Sequence, residues 1–247
     1  TAGEILDRIR LENDMAVIDV LMGVLRASPE AANEPAVVAA FLRLATEPGS
    51  LDHRQVAIAF LGHAWDRDGL VRRSLFEIAR STAPESLRQA AIAAFREYTI
   101  RNHDAAEAVN RELLSLAGSD AGLRATSIAS VDMLAANEGI VRTVATFSTA
   151  AELSARVAAY EKLGESASIH RAVVLDVLEA AFGLEPDEIG LGQIVAAVAR
   201  SGRADAIPVL RRMKNGAVQS DIDAYLAILE SGETDWSKIL ARKARGN

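Results

Sequence analysis

The sequence predicts an all-α chain of stacked antiparallel helix pairs, an α-solenoid forming a single domain over residues 1–247. Three observations carry that expectation. Apolar residues recur at intervals of three and four between breaks that arrive about every 10 to 20 residues. Half of the 247 residues are hydrophobic but only 2 Trp, 3 Tyr and 6 Phe are present, so Ala, Leu, Val and Ile must fill most of the core. Ala and Leu favour helix, and strand formers such as Thr, Tyr and Trp are thin. Finally, one arginine-centred pattern returns every 32 to 36 residues.

The breaks set the elements in order. After a segment at 2–12, helices are expected near 14–27, 35–46, 51–65, 69–81, 84–100, 103–117, 120–136, 138–146, 149–163, 168–182, 186–200, 205–214, 218–230 and 235–244. "SPEAANEP" closes the helix at 14–27, "TEPGS" the next, and "DRDG", "STAPE" and "AGSDAG" mark turns further along. Later breaks are "ANEG", "LGES", "LEPDEIG", "SGRAD", "KNGA" and "SGETD". Pro84 and Pro186 stand where first-turn prolines belong, and Pro208 follows Asp205 closely enough to share a first turn. No segment reads as a strand.

The stretch "PESLRQAAIAAFREY" at 84–98 is apolar from Ala90 to Phe95 and polar only at its ends. An ordinary surface helix carries one apolar stripe. A helix flanked by its pair-mate and by both neighbouring repeats is buried over most of its circumference, and alanine lets the backbones approach. The same frame recurs. "HRQVAIAFLG" from 53, "LRQAAIAAFR" from 87, "LRATSIASVD" from 123 and "ARVAAYEKLG" from 155 place Arg54, Arg88, Arg124 and Arg156 in register. Seven residues on stand Leu61, Phe95, Val131 and Leu163, and Asp52, Glu85, Asp120 and Glu152 precede the arginines. A period of about 34 residues is one helix–turn–helix unit of a solenoid.

This pattern resembles HEAT repeats, above all the short bacterial kind seen in phycobilisome-lyase-like families. There the second helix of each pair carries an acidic residue, then Arg, then an Ala-rich run ending in Leu-Gly. "LDHRQVAIAFLG" and "PESLRQAAIAAF" carry the likeness best, and Leu163-Gly164 restores the ending in the fourth copy. The clear copies cover 51–164; the flanking helices lack the signature and read as atypical caps, and "IGLGQIVAAVARSG" has no Arg. The resemblance implies a structural role for the arginine ladder, each Arg pairing with an acid near a helix N-terminus. Read from the residues alone, four arginines in register could instead line a groove and hold carboxylates or phosphates.

Few residues bear chemistry. With no Cys, disulfides, Cys-ligated zinc and thiol catalysis are excluded. His53, His63, His103 and His170 have no ligand spacing, so no metal is expected. "WDRDGLVRRSLFE" hints at a calcium loop, but Ala64 occupies the place of the first acid, leaving a turn with Trp65 packed over the layer. "GLG" at 190–192 lacks a preceding strand and a third glycine, and no Walker or GxSxG motif is present. No catalytic residue and no cofactor follows from the sequence.

The net charge of −7 argues against a phosphate-tracking surface. From Arg200 on, however, nine basic residues face six acids, a segment that reads as a solvated end or as contact for an anionic partner. No run approaches the roughly 18 apolar residues of a membrane span. The chain begins at Thr1 rather than Met, which suggests a trimmed form; a cytoplasmic location is slightly favoured, and export after signal cleavage stays open. The leading function is a non-catalytic protein–protein interaction scaffold, its groove presenting Gln55, Gln89, Arg96 and Asp132 to a protein partner. The alternative is an enzyme on the same fold, resembling HEAT-like DNA glycosylases or bilin lyases, or a nucleic-acid-binding module.

Overall fold

The computed structural model describes residues 2–12, 14–28 and 34–245; these form fifteen α-helices and two short 3₁₀ turns, with no strand among them. The protein is all-α. The chain divides into two compact units, residues 1–116 and 117–247.

The first unit holds α1 (Ala2–Leu11), α2 (Met15–Ala27), α3 (Pro35–Thr46), α4 (Leu51–Leu61), α5 (Leu70–Arg80), α6 (Glu85–Arg101) and most of α7 (Ala106–Ser119). Helix α3 packs on α4 and α5 on α6, while α4 packs on α6. Each pair is pinned by one ring stack: Phe41 on Phe60 at 3.9 Å and Phe76 on Phe95 at 4.1 Å between centroids. Both phenylalanines of the second stack lie 35 residues after those of the first, so this ring contact recurs at the spacing of the sequence pattern. Four of the eleven aromatic residues thus lie where one helix of a pair meets the other, at a separation that favours ring contact.

The second unit holds α8 (Arg124–Ala129), α9 (Glu138–Thr146), α10 (Leu153–Ser166), α11 (Arg171–Phe182), α12 (Glu188–Arg200), α13 (Arg203–Arg212), α14 (Gln219–Glu230) and α15 (Trp236–Ala244). Alternate helices form a row in which α10 packs on α8 and α12, and α12 on α14. The outer helices α9, α11 and α13 each pack on the row helix that follows them.

The Leu-Gly ending explains how closely the row packs. A Cβ on Gly62, at the end of α4, would lie 2.7 Å from the Ala94 carbonyl of α6. A Cβ on Gly164 in α10 would lie 2.9 Å from Ala197 Cα of α12. The glycine of one row helix therefore touches the alanine of the next, once in each unit. The second contact also fixes the frame of α12: Ala94 lies six residues after Arg88, so Leu191, six before Ala197, stands in the arginine's place. Leu191 is buried.

Three expectations are corrected. The helix over 120–136 is only α8, because the Asp132 carboxylate accepts the Leu134 N–H at 3.0 Å and turns the chain. Pro208 lies inside α13 rather than in its first turn, because the helix already starts at Arg203, after Gly202 at φ 97°. Trp65 is not packed over the layer; it is 53% exposed on a turn between α4 and α5.

Candidate functional site

The four ladder arginines act on helix ends. Arg54 Nε donates to the Ala45 carbonyl at 3.0 Å, Arg88 Nε to Ala79 at 3.0 Å and Arg124 Nε to Ala117 at 2.9 Å. Arg156 Nη1 donates to the Ala150 and Ala151 carbonyls. For Arg54 and Arg88 the acceptor lies in the last turn of the preceding helix, where carbonyls lack an intrahelical donor and carry partial negative charge. The arginine thereby ties the first turn of one helix to the last turn of the helix before it. Arg124 pairs at 2.7 Å with Glu152, and Arg156 forms a two-pronged pair at 2.8 Å with Glu185. These acids stand 28 and 29 residues downstream, so the carboxylate comes from the following repeat rather than from the acid beside each arginine.

Glu185 is the most enclosed charge of this set. Its side chain is 0% exposed, and it also accepts from the Tyr160 hydroxyl at 2.8 Å and the Asp187 N–H at 3.1 Å. The Arg156 bond, with help from Tyr160 and Asp187, holds the Glu185 carboxyl below the ordinary range, while burial opposes. Burial and the Glu185 hydrogen bond push the Tyr160 hydroxyl upward. Gly190 leaves the room: a Cβ there would strike Glu185 Cδ at 2.5 Å. Each Glu185 carboxylate oxygen thus accepts two hydrogen bonds, and the cluster braces α10 to the start of α12.

The groove positions are less concentrated than their sequence pattern suggests. Gln55 on α4 and Gln89 on α6 are half-buried, and Gln89 donates to Glu85 at 2.7 Å. Arg96 is exposed on α6, and Asp132 closes its own turn. His53 and His170 donate to the Glu12 and Ala136 carbonyls at 2.8 and 2.9 Å. At the basic end, Arg211 pairs with Glu230, Arg212 with Glu179 and Lys243 with Asp221. Those side chains are spent on intramolecular pairs.

The turn that sequence reading set aside is the better candidate. "AWDRDGL" leaves α4, and Gly69 at φ 67° starts α5. The Asp66 carboxylate accepts the Arg72 N–H at 2.9 Å and the Tyr98 hydroxyl at 2.8 Å. Asp66 N–H donates to Asn102 Oδ1 at 3.0 Å, and Asn102 Nδ2 donates to the Ala64 and Tyr98 carbonyls. Burial, then the Asp66 hydrogen bond, push the Tyr98 hydroxyl pKa upward, which keeps it a proton donor. The residues on both sides of Trp65 are thus fastened to the chain around them, while the indole stays half in solvent.

A pocket opens on each side of that indole. One, of about 560 Å³, is walled mainly by Val38, Ala39, Leu42, Leu70 and Val71, with Asp66, Arg67 and Asp68 of the turn also on its lining. The other, of about 760 Å³, is polar and includes Arg72, Tyr98, Arg101, Asn102 and His103. Arg72 Nε is buried there without a hydrogen-bond acceptor. Sequence reading missed this site because, with the metal loop set aside, it left only a plain inter-helix turn, whereas Asp66 serves Tyr98 and α5. Among the described residues no three His, Asp or Glu side chains cluster as metal ligands, and no helix is long and apolar enough to cross a membrane. The chain matches no protein-family model, and no curated protein matches it significantly.

Proposed function

We propose that the chain is a non-catalytic interaction module of the HEAT-like α-solenoid type, and that it receives a segment of a partner protein at the Trp65 turn. The solenoid reading is supported by features that recur at repeat spacing: the carbonyl-gripping arginines, the Phe stacks and the Gly–Ala contacts. One observation carries the docking site. Trp65 stands 53% exposed between an apolar and a polar pocket, on a turn held by Asp66, Tyr98 and Asn102. Tryptophan is a favoured interface anchor because it buries much area with few rotatable bonds. A pre-fastened turn lowers the entropic cost of binding. Gln55, Gln89 and Arg96 provide further polar contacts for the same partner.

Crosslinking pull-down from the native host, with mass spectrometry, tests this reading. A protein recovered with wild type and lost with Trp65→Ser, at an unchanged melting temperature, supports it. If no captured protein depends on Trp65, the proposed docking site is wrong.

A further inference from the structure

Arg72 and Arg101 differ from the ladder arginines. All six are half-buried, but Arg54, Arg88, Arg124 and Arg156 each spend the guanidinium on a carbonyl, and Arg124 and Arg156 reach a carboxylate as well. Arg72 and Arg101 line the polar pocket with no side-chain acceptor among the described residues, and Arg72 Nε is enclosed and unmatched. A buried guanidinium donor without an acceptor costs stability that a bound anion restores. Asp66, the half-buried acid of the pocket, already accepts from Tyr98 and the Arg72 backbone; Asp68 and Asp104 are exposed at its rim. Arg72 Nη2 also lies over Gly69, where a Cβ would be 3.4 Å away, so a larger residue would crowd the approach.

The two pockets share Trp65, Asp66, Arg67 and Asp68; one lies between α3 and α5, the other between the α4–α5 turn and the segment after α6. Along an extended peptide every second side chain lies on one face, about 7 Å from the next.

We infer that the Trp65 turn recognises a carboxylate-bearing extended segment: an apolar side chain enters the Val38–Leu42–Val71 pocket, and a carboxylate two or four residues away, on the same face of the segment, is held by Arg72 and Arg101. This rests on the proposed interaction role and adds the chemistry of the partner. The carboxylate is that of an Asp or Glu side chain or of a chain terminus.

Random 12-residue peptides displayed on phage, in one library internally and in another with a free C-terminus, are selected on the immobilised full chain. The strongest binders are synthesised as amides and as free acids, then titrated by fluorescence anisotropy. Expected are binders that pair an apolar residue with a carboxylate at the second or fourth following position. Their affinity falls about tenfold or more with either Arg72→Gln or Arg101→Gln, as loss of a charge-assisted bond requires. Melting temperatures establish that the variants fold, and Arg101→Gln, which leaves the Asp66 network intact, keeps the test valid if Arg72→Gln does not fold. Binding by amides assigns the side-chain carboxylate; binding by free acids alone assigns the terminus. Binders that need Trp65 but carry no carboxylate, or ignore both arginine variants, overturn this inference and leave the interaction role standing. A selection yielding no Trp65-dependent binder overturns both.

Discussion

At the residue scale, Glu185 shows how little freedom a buried charge has. Arg156 supplies the compensating charge, and Tyr160 and Asp187 fill the remaining acceptor positions. Removing Arg156 as Arg156→Ala leaves the carboxylate enclosed and unpaired, so chemical denaturation should show a loss of about 3–5 kcal/mol. Arg156→Met with Glu185→Leu should recover most of that loss, because neither charge is then stranded. The depressed native pKa of Glu185 gives the pH dependence its sign. As pH falls, the unfolded chain takes up this proton first, so the contribution is complete above the ordinary carboxylate pKa and fades as pH drops through the lower native value. Urea midpoints should therefore fall more steeply below about pH 4.5 for wild type than for Glu185→Gln. Arg88→Ala strips the Ala79 carbonyl of its donor and should cost about 1–3 kcal/mol, read as a lower melting temperature.

At the element scale, glycine and alanine set how close the row helices come. Gly62→Ala and Gly164→Ala each place a methyl against backbone of the next row helix, and each should destabilise by about 1–3 kcal/mol. Gly23→Ala, inside α2 with nothing near the added methyl, should instead stabilise by about 0.5–1 kcal/mol through helix propensity. Thermal melts of the three variants check both signs. Much of the helical pattern was legible because apolar spacing of three and four is a direct trace of burial. Leu61, Phe95, Val131 and Leu163, chosen from the repeat frame alone, are all buried. Local hydrogen-bond competition was less legible: the apolar pattern continues past Ala129, but the Asp132 side chain captures backbone donors and ends α8. Spatial partnership was not legible either. The acid beside each arginine was in view, whereas the acids that Arg124 and Arg156 reach become neighbours only after a whole repeat has folded back. Trp65 was read as packed over the layer at an inter-helix turn; its exposure depends on where α6 places Tyr98 and Asn102.

At the scale of the whole molecule, the charge distribution decides what the basic end can do. Several cations after Arg200 are already paired, Arg211 and Arg212 among them. An anionic polymer would have to displace those carboxylates before releasing its own counterions. Labelled duplex and single-stranded DNA should therefore bind more weakly than about micromolar near 150 mM salt, and Arg211→Glu with Arg212→Glu should change the anisotropy curve little. Sub-micromolar binding abolished by that pair of changes would make the end an interaction surface.

The ladder also has a direction. Arg124 reaches forward to Glu152, and Arg156 forward to Glu185. Helix α12 receives this link through the acid before it but carries Leu191 where an arginine would pass it on. The series thus behaves like a polymer with a capped chain end. A tandem duplication within the row brings its own donor and acceptor and can be spliced in as a link. A copy grafted behind α12 meets a leucine that cannot extend the bond, so on that side the row goes on, as it does to α14, without the arginine link.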